Sequence, residues 1–318
     1  MAETETDDRA EWLAWRRGGL GASDVAAVLG LSPWSSPWSL WADKVGLLAD
    51  DDGNEATEFG QWAELMLAPW FEHRTGLTVG CAQERLVHPT MPWARCTLDG
   101  RVFDGPGWTS PQDCLGGLEI KTAFESRGWE VIPAYYQAQG QWQCHIGEFE
   151  RVWFPVLHGR RLEIYELERD DADIEFLVET AEAFWNDHVL AGVPPDVDGS
   201  EATMSALAEV YPAHTPGCTV VLDDEGIEAV ADLAAARAEK KRAEQAERAA
   251  KAIIAAHLAD AEEGTGPGAD EAQRLVSWRS QKRTDLDKGR LRAEHPDLYK
   301  DYETVTTMRV MRVPKEKK

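Results

Sequence analysis

The spacing of apolar and polar residues over the first two thirds of the chain predicts helices at both ends and strands in the middle. Apolar residues recur at helical spacing in five segments, at 23–29, 36–45, 58–74, 135–146 and 174–191. Shorter apolar or alternating runs, typical of strands, occupy 77–79, 84–88, 94–102, 117–122, 151–157 and 162–168. This order of elements favours an α+β domain with a mixed sheet.

The core is predicted to form from the large apolar residues of these helices. Segment 58–74 is predicted to be an amphipathic helix that ends at Thr75-Gly76. Its apolar stripe consists of Phe59, Trp62, Leu65 or Met66, and Pro69 or Trp70. Three tryptophans close together in sequence are predicted to pack in the core rather than stack on bases: Trp34, Trp38 and Trp41.

The last third of the chain differs in composition and is predicted to be an extension. Residues 194–216 contain prolines and polar residues, which indicate a linker with one short helix inside it. Residues 223–263 are mostly Ala, Glu, Lys and Arg and predict a long solvated or coiled-coil helix, ended by the glycine-rich segment 264–268. We therefore place a main domain at 1–200 and a C-terminal extension at 201–318.

Composition excludes several classes of protein. With 318 residues, 43% of them hydrophobic, and 14 Trp, the chain is too apolar to be disordered throughout. No run approaches the ~20 apolar residues of a membrane-spanning helix, and the acidic start lacks the pattern of a signal peptide. The five cysteines form no CxxC pair, which argues against a zinc ribbon or a disulfide framework and fits a reducing cytoplasm.

Net charge is the main argument against a nucleic-acid partner. The formal charge is −24, whereas proteins that bind nucleic acids usually present a basic surface. Residues 277–318 are an exception, because this basic tail carries twelve Lys and Arg against seven Asp and Glu. We therefore expect any DNA-binding surface to be a local positive strip on an otherwise acidic molecule.

Two predicted strands carry charged residues suited to phosphodiester hydrolysis. Asp99 lies in Thr-Leu-Asp-Gly, and Glu119 and Lys121 lie in Leu-Glu-Ile-Lys further along the chain. Residues i and i+2 of a strand share a face, so Glu119 and Lys121 project together while Ile120 points into the core. Two carboxylates and a backbone carbonyl make an oxygen site for Mg²⁺ or Mn²⁺. Lys121 would position or deprotonate a water, or stabilise charge on the phosphate, although this pattern alone is weakly specific.

Other segments supply further candidate residues. Glu64, in predicted helix 58–74, offers another carboxylate. Arg16, Arg17 and Ser23 surround a glycine-rich segment at a predicted helix N-terminus, where Ser23 would either cap the helix or help to bind a phosphate. Gln139 lies in helix 135–146 on a different face from two neighbouring glutamines. P-loop, HExxH and GxSxG motifs are absent, which excludes P-loop ATPases, zincins and α/β-hydrolases.

Seven segments in a fixed order add a resemblance: Gly-Ala-Ser-Asp, Leu-Gly-Leu-Ser-Pro-Trp, Phe-Gly-Gln-Trp-Ala-Glu, Phe-Glu-His-Arg-Thr-Gly, Thr-Leu-Asp-Gly, Leu-Glu-Ile-Lys and Ala-Tyr-Tyr-Gln-Ala-Gln-Gly-Gln-Trp. Together they resemble the YqaJ-type phage recombinases, relatives of phage lambda exonuclease in the PD-(D/E)xK nuclease superfamily, over about residues 12–195. The resemblance implies a restriction-endonuclease-like core, a sheet flanked by helices. It also implies Mg²⁺-dependent 5′→3′ digestion of one strand of duplex DNA, with the 3′ overhang passed to a single-strand annealing protein.

The resemblance assigns roles around a metal centre. Asp99, Glu119 and the backbone carbonyl of Ile120 would hold one or two Mg²⁺ or Mn²⁺ ions, with Glu64 as a further carboxylate. Lys121 would be the catalytic lysine of the site.

The resemblance also assigns roles outside the metal centre. Gln139 would support the site from its helix, and Arg16 with Ser23 would bind the 5′-phosphate. Arg17 would replace Arg16 if the register shifts by one residue. Two features depart from the family pattern, namely Leu98 in place of the proline of the PD motif and a longer segment at 101–117.

The sequence leaves three functions open. The first is an exonuclease of a phage or prophage recombination system that acts on double-stranded DNA ends in the bacterial cytoplasm. The resemblance implies that its subunits assemble into a ring, and the sequence does not define their number. The second is an endonuclease or nickase built on the same core. The third is a DNA-end-binding recombination scaffold that does not cut.

Overall fold

The computed structural model describes residues 11–50, 53–123, 127–267, 273–306 and 308–314. The acidic first ten residues, Gly268 and the last four residues of the basic tail lie outside these ranges. The chain forms two compact units, Met1–Tyr211 and Pro212–Lys318. The first unit extends past the predicted boundary at 200 because a helix at Glu201–Val210 packs on it, where Thr203 Oγ1 donates a hydrogen bond to Ser36 Oγ at 2.7 Å.

The helices of the first unit lie close to the predicted segments. Residues 11–17 form α1, and the others are α2 (Ala22–Val28), α3 (Pro37–Lys44), α4 (Glu55–Thr75), α5 (Ala134–Gly147), α6 (Asp171–Phe184, continued by a π-helical turn at Trp185–Leu190) and α7 (Glu201–Val210). Gly76 ends α4 in the left-handed conformation (φ 76°), as its position after Thr75 predicts.

The strands build one main sheet and one separate pair. They are β1 (Thr78–Gly80), β2 (Glu84–Val87), β3 (Arg95–Leu98), β4 (Gly100–Phe103), β5 (Gly116–Leu118), β6 (Lys121–Ala123), β7 (Arg151–His158) and β8 (Arg161–Glu168). In the main sheet β4 lies between β1 and β5, while β5 and β6 both pair parallel with β7, which pairs antiparallel with β8. The predicted α+β fold, a mixed sheet flanked by helices, is confirmed.

Two of the predicted strands are interrupted, and both interruptions occur at candidate site residues. The strand predicted over 94–102 divides at Asp99, where the chain leaves the β2–β3 pair and enters the main sheet. The strand predicted over 117–122 divides into β5 and β6, although Leu118 opposite Trp153 and Lys121 opposite Val156 keep a single register. The backbone between β5 and β6 is therefore extended but directs one of its N–H groups away from the sheet.

Helices cover both faces of the main sheet, and alternate residues of β7 contribute to the two cores. On one face α5 contributes Trp142 to a core that contains Phe154. On the other face α4 packs against a core that contains Trp153 and Leu118. The candidate residues of β5 and β6 thus lie between α4 and α5.

The predicted buried face of α4 is wrong. The stripe expected in the core is largely exposed, with Phe59, Trp62, Leu65 and Met66 at 50% exposure or more. The buried residues are instead Ala63, Leu67 and Phe71, which are also one helical turn apart. Two apolar stripes compete on this helix, and the one that includes a small alanine faces the sheet.

The prediction for the three tryptophans is also partly wrong. Trp38 and Trp41 are buried, whereas Trp34 is 68% exposed. Ser32 Oγ accepts hydrogen bonds from the N–H groups of Trp34 and Ser35, both at 3.2 Å. This local turn keeps Trp34 outside α3 and turns it away from the core.

The second unit contains the predicted long helix and additional short elements. Its elements are α8 (Asp224–Leu258), β9 (Glu263–Gly266), β10 (Gln273–Ser277), α9 (Lys288–Glu294) and α10 (Pro296–Asp301). Most of α8 is exposed, as its composition predicts, but the β9–β10 hairpin was not predicted. Within the described ranges, no helix is long and apolar enough to cross a membrane.

Candidate active site

The Glu119 carboxylate lies between the main sheet and α5 and is 5% exposed. Its Oε1 accepts hydrogen bonds from Lys121 Nζ and Gln139 Nε2, both at 2.6 Å. Its Oε2 accepts a hydrogen bond from Gln143 Nε2 at 2.5 Å. Because Gln139 and Gln143 are one turn apart on α5, a single helix fixes the orientation of Glu119.

Asp99 and the backbone of Ile120 connect the two interrupted strands. The Ile120 N–H donates a hydrogen bond to Asp99 Oδ2 at 2.7 Å. The preceding N–H, from Glu119, donates to the Trp153 carbonyl at 2.9 Å and continues the sheet. Ile120 thus contacts Asp99 through its N–H, whereas the family resemblance assigns a role to its carbonyl.

A glutamine that the sequence did not indicate links Asp99 to Glu64 of α4. Gln83 Nε2 donates hydrogen bonds to Glu64 Oε2 at 2.7 Å and to Asp99 Oδ1 at 3.4 Å. Gln83 lies in the turn between β1 and β2 with a left-handed backbone (φ 55°). The amide of Gln83 therefore joins carboxylates from two separate elements.

The charges of these groups affect one another. Burial, with the charges of Glu119 and Glu64, raises the pKa of Asp99 well above its usual value. Burial, with the charge of Glu119, also raises the pKa of Glu64. For Lys121, burial acts to lower the pKa, but Glu119 and other neighbours outweigh it, so the pKa is raised. Burial and mutual charge thus favour the protonated forms of Asp99, Glu64 and Lys121.

The donor chemistry of this cluster fits a hard divalent cation. Carboxylate and carbonyl oxygens are the ligands that Mg²⁺ prefers, and a cation would relieve the repulsion that raises the pKa of Asp99 and Glu64. Among the described residues, however, no three His, Cys, Asp or Glu side chains are already arranged as a ligand set. Gln83, Lys121 and Gln139 donate hydrogen bonds that orient these carboxylates.

A cavity of about 820 Å³ opens beside the cluster. Basic, hydroxyl, aromatic and amide residues are among those lining it: Arg16, Arg17, Ser23, Trp34, Lys121, Tyr135, Tyr136 and Gln139. The lining also includes acidic residues: Asp24, Asp43, Asp50, Glu201 and Glu209. The cavity thus has mixed charge rather than the purely positive strip that we expected from the sequence.

The two candidate phosphate-binding arginines differ in their environment. Arg17 Nη2 lies 2.7 Å from Asp50 Oδ1 and 3.8 Å from Asp43 Oδ1, so acidic partners already neutralise it. The Arg16 guanidinium lies over the Trp12 ring, 5.6 Å from the centroid, and makes no ion pair within the part of the chain that the structure describes. Arg16 is therefore the better placed to bind an anion.

Ser23 does not cap α2, because the N-cap residue is Gly21 and the side chain that pairs with it is that of Asp24. Asp24 Oδ2 accepts a hydrogen bond from the Gly21 N–H at 2.8 Å, while Ser23 is exposed and lines the cavity. Asp24 Oδ2 also forms a buried ion pair with Lys44 Nζ at 2.7 Å, and Lys44 Nζ donates to the Arg16 carbonyl at 2.9 Å. These hydrogen bonds fix the backbone at Arg16 and at Gly21, within the segment that carries Arg16 and Ser23.

The structure brings the sequence-predicted residues into two neighbouring groups. Asp99, Glu119, Ile120, Lys121, Glu64 and Gln139 form the carboxylate cluster, while Arg16, Arg17 and Ser23 line the adjoining cavity. The sequence motifs do not indicate Gln83 and Gln143. Gln143 has a signal in the sequence, since it is four residues after Gln139, but Gln83 lies in a turn with no motif.

Comparison with known proteins shows a family to which part of the chain is similar. Residues 11–150 match the model of the YqaJ-like viral recombinase domain. The chain is also 33% identical over 217 residues to the uncharacterized protein YqaJ of Bacillus subtilis (strain 168), and the match covers 66% of each protein, just under two thirds of that relative. Over residues 11–150 the chain is therefore similar to the YqaJ-like viral recombinases.

Solved structures include two similar exonucleases. An alkaline exonuclease (LHK-Exo) from Laribacter hongkongensis has 22% identity and a TM-score of 0.46, covering 58% of this chain and 94% of that one. A phage related exonuclease from Haemophilus somnus 129PT has 13% identity and a TM-score of 0.41, covering 55% of this chain and 96% of that one.

Proposed function

We propose that this protein is a Mg²⁺-dependent exonuclease that degrades one strand of duplex DNA from its 5′ end during phage recombination. The observation that carries the proposal is the convergence of Asp99, Glu119 and Lys121 beside a cavity lined by Arg16 and Ser23. The match of residues 11–150 to the YqaJ-like viral recombinase domain supports the same class of function. We expect the 3′ overhang to be the substrate of a single-strand annealing protein.

The residues of the cluster have separate tasks in this proposal. Asp99, Glu119 and the Ile120 carbonyl would hold Mg²⁺ or Mn²⁺ with Glu64 beside them, and the bound ion would supply charge neutralisation and an activated water. Lys121, as an ammonium group, stabilises negative charge that develops on the scissile phosphate. Of the two roles that the sequence leaves open for Lys121, we propose charge stabilisation, because its raised pKa favours the protonated form.

The cavity residues account for the choice of a strand end. Arg16 offers a guanidinium, and Ser23 offers a hydroxyl near the N-terminus of α2, which together suit a terminal phosphate. If they hold the 5′-phosphate, the next phosphodiester of that strand is the one presented to Lys121. Binding of the terminal group would therefore set the 5′→3′ polarity.

The test uses linear duplex DNA with a 5′-phosphate, and Mg²⁺ is either supplied or removed with EDTA. We expect the wild-type protein to release nucleotides only with the metal, and Lys121→Ala to bind DNA but lose cleavage. Lys251→Ala, an exposed lysine of α8, is the matched control and should cleave normally. Wild-type cleavage rates in purified Lys121→Ala would contradict the catalytic assignment.

The two alternatives give different results in the same assay. An endonuclease or nickase would also convert covalently closed circular DNA, which an exonuclease that needs an end leaves intact. A non-cutting scaffold would retain linear DNA without releasing nucleotides at any Mg²⁺ concentration.

A further inference from the structure

Trp34 is an exposed aromatic residue in an ordered turn beside the candidate active site. Its side chain is 68% exposed. Its backbone is nevertheless fixed, because Ser32 Oγ accepts hydrogen bonds from the N–H groups of Trp34 and Ser35. A single exposed apolar residue needs no explanation on its own. Trp34, however, lines the same cavity as Lys121 and Gln139.

A series of aromatic rings connects Trp34 to Lys121. The Trp34 ring lies edge-on to Tyr135, with centroids 5.3 Å apart, and Tyr135 contacts Tyr136 at 4.4 Å. Lys121 Nζ lies 4.8 Å from the centroid of the Tyr136 ring. The rings of the two tyrosines thus support Trp34 at its edge and leave much of its surface accessible in the cavity wall.

The positions of the charged groups define what this wall would contact. On the proposed function, the terminal phosphate lies against Arg16 and Ser23, and the scissile phosphate lies against Lys121. One nucleoside separates successive phosphates of a strand, so the 5′-terminal nucleoside must occupy the cavity between them. The volume of about 820 Å³ is within the range of small-ligand sites.

We propose that Trp34 is the stacking platform for the base of the 5′-terminal nucleotide. The inference rests on the proposed function, and it adds a binding site for a nucleobase to the sites for phosphate and metal. Every nucleobase has a π face, so stacking positions the end without reading its sequence. This property suits an enzyme that must accept each new terminal nucleotide in turn.

The test measures KM and kcat for cleavage of two 5′-phosphorylated duplexes, one with a normal 5′-terminal nucleotide and one with an abasic terminal residue. On the normal duplex, Trp34→Ala should raise KM about 5- to 150-fold, the range found for removing one base–aromatic stack. On the abasic duplex the same substitution should change KM less than about twofold. Trp34→Phe keeps an aromatic face and should recover most of the loss.

Leu31→Ala, an exposed residue near Trp34 that does not line the cavity, serves as the control and should behave as wild type on both duplexes. An independent readout is the fluorescence of 2-aminopurine at the 5′ end, which stacking should quench in Lys121→Ala but not in the Lys121→Ala, Trp34→Ala double variant. If Trp34→Ala raises KM equally on both duplexes, or leaves the quenching unchanged, the stacking proposal is wrong. If the wild-type protein cleaves neither duplex, it is the proposed nuclease function that fails.

Discussion

The contribution of the buried ion pair between Asp24 and Lys44 to stability can be tested quantitatively. This pair fixes the segment that carries Arg16 and Ser23. The Lys44 side chain is fully buried and that of Asp24 is 7% exposed, with 2.7 Å between Nζ and Oδ2. Lys44→Met removes the cation but keeps a similar apolar stem. The Asp24 carboxylate would then stay buried with the Gly21 N–H as its remaining hydrogen-bond donor among those described.

Removing one partner of a buried ion pair typically costs about 3–5 kcal/mol, since the remaining charge is uncompensated. For a unit of this size, each kcal/mol lowers Tm by about 2–4 °C, so we expect a decrease of roughly 6–20 °C. Asp24→Asn combined with Lys44→Met removes both charges and keeps an oxygen to cap α2. The double variant should therefore be more stable than Lys44→Met alone.

Tryptophan fluorescence is a suitable assay because all 14 tryptophans except Trp278 lie in the first unit. The control is Arg127→Met, which breaks a surface pair with Glu130 in which both side chains are at least 80% exposed, and it should leave Tm unchanged. A loss below about 1 kcal/mol for Lys44→Met, or no recovery in the double variant, would refute this reasoning.

Three further predictions concern metal, pH and salt. Gln83→Leu removes the donor that joins Glu64 to Asp99 and should weaken Mg²⁺ or Mn²⁺ binding about 10- to 100-fold in calorimetry, whereas Gln112→Leu in an exposed turn should not. Burial, with nearby positive charge, lowers the pKa of His145 from 6.5 to about 4, so the folded protein resists a proton that the unfolded chain accepts. Stability should therefore fall as pH is lowered from about 6.5 to about 4, and His145→Phe should flatten that part of the Tm curve while His73→Phe should not. Among the described residues that line the cavity, the cationic side chains are Arg16, Arg17 and Lys121, and the last two already form ion pairs. The logarithm of DNA affinity should therefore fall with the logarithm of salt with a slope between about −1 and −3, and a slope beyond about −6 would assign most of the binding to other cations.

The chemistry of the strands was the part of the site that the sequence predicted best. Period-two alternation places Glu119 and Lys121 on one face whatever the details of the fold, so their contact follows from spacing alone. The proximity of Asp99 to this pair depends on tertiary structure. The short β-meander that connects them, however, allows few other arrangements of the strands. Gln83 shows the limit, because a turn residue with a left-handed backbone reaches two distant elements without any periodic signal.

The helices show a different limit. On α4 two apolar stripes have helical spacing, and pattern alone favoured the bulkier one over the stripe of Ala63, Leu67 and Phe71. The stripe that packs against the sheet is determined by the distance between helix and sheet. That distance is known only from the three-dimensional structure. The same holds for Trp34, whose spacing matches a core position but whose backbone is held in a turn by Ser32.

At the interruption between β5 and β6, part of this site is formed by main-chain atoms. The identity of the side chain does not reveal this contribution. The N–H that holds Asp99 belongs to Ile120, but valine or leucine would supply the same group. Proline would not, since it lacks the hydrogen, although its side chain is of similar bulk to that of valine. A protein engineer is thus free to vary the side chain at this position for packing, provided that the residue keeps its amide hydrogen.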